Sequence, residues 1–418
     1  MNKKELLEQI TSHYLESPDF NGIPNYYLKP YEADDLEELI REGSVKLLSE
    51  DRDINTHINR LNLFASIDEQ VASINNGCNF NLYPTPTYLN TVQINEEKPF
   101  TKMLSLGMEQ LRVLYFNVEV LEYYFNDPRY TIQDYGYIGT VYINDDSVNE
   151  DDPIHSEYIK NFGTAYPSKG DLDSDRAIGV LLRDLSKLNL EAQSKWRGFL
   201  LRDQKAFRIN GGFKKNMILG DWVEEQWVFD VMLEELKFIN TLCKNMEIPP
   251  LFNHEYSRES QDLIGYRIVL LPTLKNYYDF VGALEKIFVH NLNYKTFQKQ
   301  TKTISPVERK NPDGTPKGSV VLLEEWLEKN YYSRNPNGAK LFKEKVSSVL
   351  REIRKIRQIP AHELYENKLD KSVYKKQNEL VTSLYYALQD IRAILLRHPN
   401  NRGVTIPTEL NGDNVVIY

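Results

Sequence analysis

Cysteine is almost missing from the chain: Cys78 and Cys243 are the only two in 418 residues. Two thiols make no disulfide framework and fall short of a four-ligand zinc site. No apolar run approaches the roughly 20 residues of a membrane span. The opening Met1-Asn2-Lys3-Lys4-Glu5-Leu6-Leu7-Glu8 lacks the apolar core of a secretory signal. A cytoplasmic protein without membrane contact is the expectation. Gly-x-Ser-x-Gly, His-Glu-x-x-His and the dinucleotide glycine fingerprint are absent, which removes three common enzyme classes. Gly211-Gly212 lies in a basic stretch but no Gly-Lys-Ser/Thr follows, so it is no phosphate loop. Asp171 to Asp175 resembles the start of a calcium loop. Arg176 and Leu182 occupy the positions that need Gly and Glu, so calcium is rejected. No cofactor and no metal is expected.

What is present is ordinary for a soluble globular protein, with 41% hydrophobic and 27% charged residues. The charge is unevenly placed. Net charge is −9, yet residues 295–402 hold 22 Lys and Arg against 12 Asp and Glu. A basic C-terminal third on an acidic body points to a local anionic partner, or to attraction between the parts of one fold.

Hydrophobic spacing predicts a mainly α fold with a minor β component. An α+β N-terminal domain is expected over 1–150, a mainly helical region over 151–260, a helical bundle over 261–400 and a tail over 401–418. Helices are expected at 3–15, 34–42 (ended by Gly43) and 67–75, with a strand from Val45, a combination compatible with a winged-helix-like unit. Pro84 and Pro86 mark 82–87 as turn or edge structure. The spacing of Leu104, Met108, Leu111, Leu114, Val118 and Leu121 predicts one helix over 100–125. A strand is expected at 135–143, helices at 174–202 and 222–245, and a hairpin or loop at 205–215. Four C-terminal helices are expected, with an extended tail after Pro399.

The third of these helices carries an apolar seam of Phe342, Val346, Val349, Ile353 and Ile356, and then Arg357-Gln358-Ile359-Pro360-Ala361-His362. Pro360 lacks an N–H and disfavours helix at Ile359, so the helix is expected to end or kink there and to fold His362 back toward Arg357. Arg-x4-His with a polar residue after the Arg, late in a helical bundle, resembles the HEPN superfamily over residues 270–400. Many of its members are metal-independent ribonucleases of bacterial defence, toxin–antitoxin and RNA-processing systems. Leu364 stands where some family toxins have Tyr, so no Tyr-directed regulation is carried over. Two other pairs read as structural: Arg52 and His57 in a turn, and Arg392 and His398 at the end of the last helix.

The resemblance implies an endoribonuclease that cuts RNA, with transfer RNA among the candidate substrates. Arg357 would hold the phosphate, and His362 would act as general acid or base. Gln358 and Asn367 would orient the His or a ribose hydroxyl, and Arg351, Arg354 and Lys355 would extend the phosphate contacts. One His cannot serve both ends of the proton transfer, so a homodimer through the bundle is expected, its two motifs facing one cleft. The acidic N-terminal body would then receive a regulatory protein or ligand. The alternative is a catalytically silent dimerisation or RNA-binding module.

Overall fold

The computed structural model describes residues 1–17, 19–60, 63–92, 96–144, 148–149, 152–257, 263, 265–362 and 366–417, and for residues 361 and 362 the backbone alone. About 48% of the chain is helical and 13% is strand, a mixed α+β fold with a helical region. It divides into two compact units. The first is Met1–Gln133, Tyr137–Lys169 and Arg176–Asp221; the second is Asp134–Gly136, Gly170–Asp175 and Trp222–Tyr418. Residues 151–221 therefore fold largely with the N-terminal residues. No described helix is long and apolar enough to cross a membrane.

The first unit opens with α1 (Lys3–Glu16), where Asn2 and Glu5 cap each other's backbone. With α2 (Ala33–Arg41) and α3 (Ile67–Asn75) it covers an antiparallel sheet ordered β1 (Ile23–Pro24), β3 (Phe80–Pro84), β2 (Val45–Ser49). Leu6, Ile10, Leu36, Leu39, Val45, Leu47 and Leu82 form its core. Gly43, at φ 74°, ends the turn after α2 as expected. Two expectations fail here. Residues 80–84 are the central strand, not an edge: Pro84 sits at its last position opposite Val45, where a missing donor costs little. Pro86 is the first residue of α4 (Pro86–Leu89), capped by Thr85. And α3, not a hairpin, joins β2 to β3, so this corner carries no wing.

The predicted helix over 100–125 is also corrected. It breaks into α5 (Pro99–Ser105), β4 (Val113–Asn117), a 3₁₀ turn and α6 (Glu122–Phe125). Gly107 at φ 93° stops α5, and Val113-Leu114-Tyr115-Phe116 alternates between half-buried and buried, as a strand does. The expected strand at 135–143 is confined to β6 (Gly139–Ile143); β5 (Tyr130–Asp134) precedes it, and Gly136 at φ 83° lies in the turn between them. After β7 (Asn161–Pro167) the predicted helices at 174–202 begin instead with β8 (Ala177–Leu181), buried at every position. Continuous burial gives a strand no alternation to read. Then follow α7 (Leu182–Ser186), α8 (Leu190–Gly198), β9 (Phe207–Ile209) and α9 (Gly211–Phe213). The sheet order is β4-β8-β7-β6-β5, with β9 paired to β7.

The second unit is helical around one apolar core. β10 (Gln226–Trp227) leads into α10 (Val228–Asn245). Next come α11 (Leu274–Leu284), which runs on as a π-helical stretch to His290, α12 (Tyr294–Gln298) and α13 (Ser319–Leu327). α14 (Pro336–Phe342) continues through a π turn at Lys343–Ser347 into α15 (Ser348–His362), and α16 (Ser372–Leu395) closes the bundle. Asn335 caps α14, so the predicted turn at 335–338 is a helix start. α10 packs along α16, and α15 against both α11 and α16. The tail turns twice and pairs as β11 (Val415–Val416) in parallel with β10, so it is only partly extended.

Candidate functional site

α15 positions the Arg-x4-His segment. Its inner face is Val349, Leu350 and Ile353, all buried, with Val346 and Phe342 buried about one and two turns earlier. The buried positions keep their four-three-four spacing through the π-helical stretch Lys343–Ser347, so α14 and α15 face the same core. Three buried aliphatic side chains contribute about 1.5–3 kcal/mol each, which fixes the rotation of the helix. The seam is thus consumed inside the protomer. It is not a dimer surface, and a second copy would have to meet other residues.

On the opposite face Lys355, Arg357 and Gln358 are exposed and Arg354 is half-buried. Arg357 has no ion pair with any described residue. Arg351 is engaged differently: its guanidinium makes two hydrogen bonds to the carboxylate of Glu324, at 2.7 and 2.5 Å, and this contact raises its pKa further. Asn367 has a local task. Its Oδ1 accepts from the backbone N–H of Lys275 at 3.0 Å, in the first turn of α11.

Pro360 does not end the helix. α15 runs through it to His362. Proline's own φ is helical, and near a helix end its missing N–H forfeits a single bond. Five residues of unbroken helix turn through about 500°, so the backbone positions 357 and 362 lie about 140° apart around the axis. The helix end expected at Pro360 is therefore absent from the described backbone. The His362 side chain and residues 363–365, including Leu364 and Tyr365, lie outside the described residues.

The two competing Arg/His pairs have clear roles. Arg52 pairs with Glu69 at 2.7 Å. Arg392 forms a buried ion pair with Glu235, 3.1 Å apart. His398 is buried; its Nδ1 accepts from the N–H of Asn400 and its Nε2 meets the Thr303 hydroxyl at 2.8 Å. Burial lowers its pKa. His57 is the exception: with His13 it lines a cleft in the first unit. No sequence spacing links residues 13 and 57; the fold brings both to one cleft, where His57 Nδ1 meets Asn81 of β3. Among the described residues, no three His, Cys, Asp or Glu side chains are grouped to hold a metal.

No known protein family, no curated protein and no solved structure matches the chain.

Proposed function

We propose that the C-terminal helical unit is a metal-independent endoribonuclease of the HEPN type, serving bacterial antiviral defence or a toxin–antitoxin pair, with Arg357 and His362 acting in a site completed by a second copy. The observation that carries this reading is Arg357 itself: a planar cation exposed near the end of a well-anchored helix, beside Lys355 and without an ion-pair partner among the described residues. A guanidinium so placed is free to take phosphate oxygens in a fork.

The chemistry needs three things. The RNA supplies the 2′-hydroxyl nucleophile. Histidine takes its proton or gives one to the leaving 5′-oxygen. Arginine neutralises charge on the phosphorane-like transition state. Because an unbroken helix sets backbone positions 357 and 362 about 140° apart around its axis, one site would take its Arg and its His from two chains. The same divergence favours a second reading, a silent RNA-binding module carrying the acidic N-terminal body as sensor.

The test is incubation of the full chain and its His362→Ala variant with labelled total RNA and transfer RNA in EDTA. Cutting by the parent chain alone supports the endoribonuclease. RNA retained but uncut by both assigns the silent module. RNA neither bound nor cut removes both readings.

A further inference from the structure

The first unit holds a cleft of about 570 Å³, within the span of small-molecule sites, lined by His13, Asp19, Phe20, Pro24, Tyr27 and His57 among others. Its rim is aromatic. Phe20 is 52% and Tyr27 65% exposed, large for rings that a fold ordinarily hides. The Phe20 ring meets the His57 ring edge to face with centroids 6.1 Å apart.

The polar part is built with care. Asn81, buried on β3, donates from Nδ2 to the Gly22 carbonyl at 3.1 Å and contacts His57 Nδ1 at 2.9 Å. Its Oδ1 accepts from the Thr56 hydroxyl at 3.0 Å. The Gly22 carbonyl can only accept, so the amide end facing His57 is the NH₂. His57 Nδ1 is then the acceptor, and the proton of the neutral ring sits on Nε2. That N–H has no partner among the described residues. The walls are tied together: Gly22 N–H donates to the His57 carbonyl at 3.3 Å, and the Tyr83 hydroxyl donates to the Thr56 carbonyl.

Charge narrows the ligand. Burial lowers the pKa of His13, against the pull of the Gly22 and Phe20 carbonyls, and so favours its neutral form. Asp19 is balanced by Lys187 at 2.7 Å. Among the described residues lining the cleft there is no lysine or arginine to take a phosphate. Exposed rings for stacking plus a fixed imidazole N–H suit a flat, uncharged heterocycle with acceptor atoms on its edge.

We infer that this cleft binds an uncharged nucleoside, its base stacked on Phe20 and Tyr27 and hydrogen-bonded by His57 Nε2. This goes beyond the proposed RNA cleavage and stands without it.

The experiment is calorimetric titration of the full chain with adenosine, guanosine, cytidine and uridine, their 5′-monophosphates, and free tryptophan. Saturable binding of at least one nucleoside is expected, no weaker than its monophosphate and tighter than tryptophan. Phe20→Ala should weaken it about tenfold, the size of a lost base–aromatic stack, and His57→Ala by a similar factor. Phe20 is half exposed, so its variant keeps the test valid if His57→Ala melts early. No saturation by any nucleoside at millimolar concentration overturns the inference. So does equal affinity in the Phe20 variant, or a monophosphate bound more than tenfold tighter, or tryptophan bound equally well. RNA cleavage by the Phe20 variant should match the parent chain, which separates this outcome from that of the proposed function.

Discussion

Arg351 and Arg357 lie two turns apart on one helix and differ in what their removal would do. Arg351 holds Glu324, whose side chain is 9% exposed. Arg351→Ala would strand that carboxylate, so loss of RNA binding in this variant would be mixed with loss of stability. Arg357→Ala should leave the melting temperature unchanged. Glu235 offers a sharper residue-scale prediction. It is fully buried, and burial pushes its pKa up to about 7 despite the nearby Arg392. The folded protein then holds this proton more tightly than the unfolded chain, so the carboxyl contributes stability that is full below pH 4.5 and falls as pH rises to about 7. Melting temperature followed across that window should decline in the parent chain and stay flatter in Glu235→Gln. Arg392→Leu removes the one charge that lowers the Glu235 pKa, so the carboxyl should stay protonated to higher pH and the decline in melting temperature should move above pH 7.

At the scale of elements, what could be read from the sequence depended on amphipathicity. α1, α2 and α3 each bury one face and end at recognisable caps, so their bounds are legible within a residue or two. β8 is buried throughout and β4 follows a helix with the same leucine spacing, so both were hidden inside apparent helices. The late helices were legible by their apolar residues, but that their seam closes within one chain was not: a seam does not say which partner it faces. Pro360 interrupts the hydrogen bonding of α15 without ending the helix. Replacing it with Ala restores the N–H that an i−4 bond to Ile356 requires and should raise the melting temperature by a few degrees. Because α15 already passes through Pro360, the exchange should leave RNA cleavage within a few-fold. Abolished cleavage in a more stable Pro360→Ala protein would mean that a break at this residue is needed for the chemistry.

For the whole molecule, α10 decides how the chain can be divided. It packs along α16 and contributes Val228, Met232, Leu236 and Ile239 to the bundle core. A chain beginning at residue 261 would lose that wall. It should be poorly soluble and low in helix by circular dichroism, whereas one beginning at Trp222 should be helical. The proposed composite site would need two copies, and light scattering should then give a dimer at micromolar concentration. Since the α15 seam is internal, contact would draw on exposed residues such as Leu341, Leu369 and Tyr386. If the acidic body restrains the site, cleavage by the Trp222 chain should equal or exceed that of the full chain.

The most direct test of the central claim is the initial rate of cutting one labelled RNA in EDTA by the parent chain and by Arg357→Ala, His362→Ala, Arg52→Ala and His57→Ala, with melting recorded for each. The account predicts a loss of about 10²- to 10⁴-fold in the first two variants without early melting. The last two should cut within a few-fold of the parent, and the products should carry 2′,3′-cyclic phosphate or 3′-phosphate ends. A fully active His362 variant, a requirement for added magnesium, or selective loss in the His57 variant would contradict it.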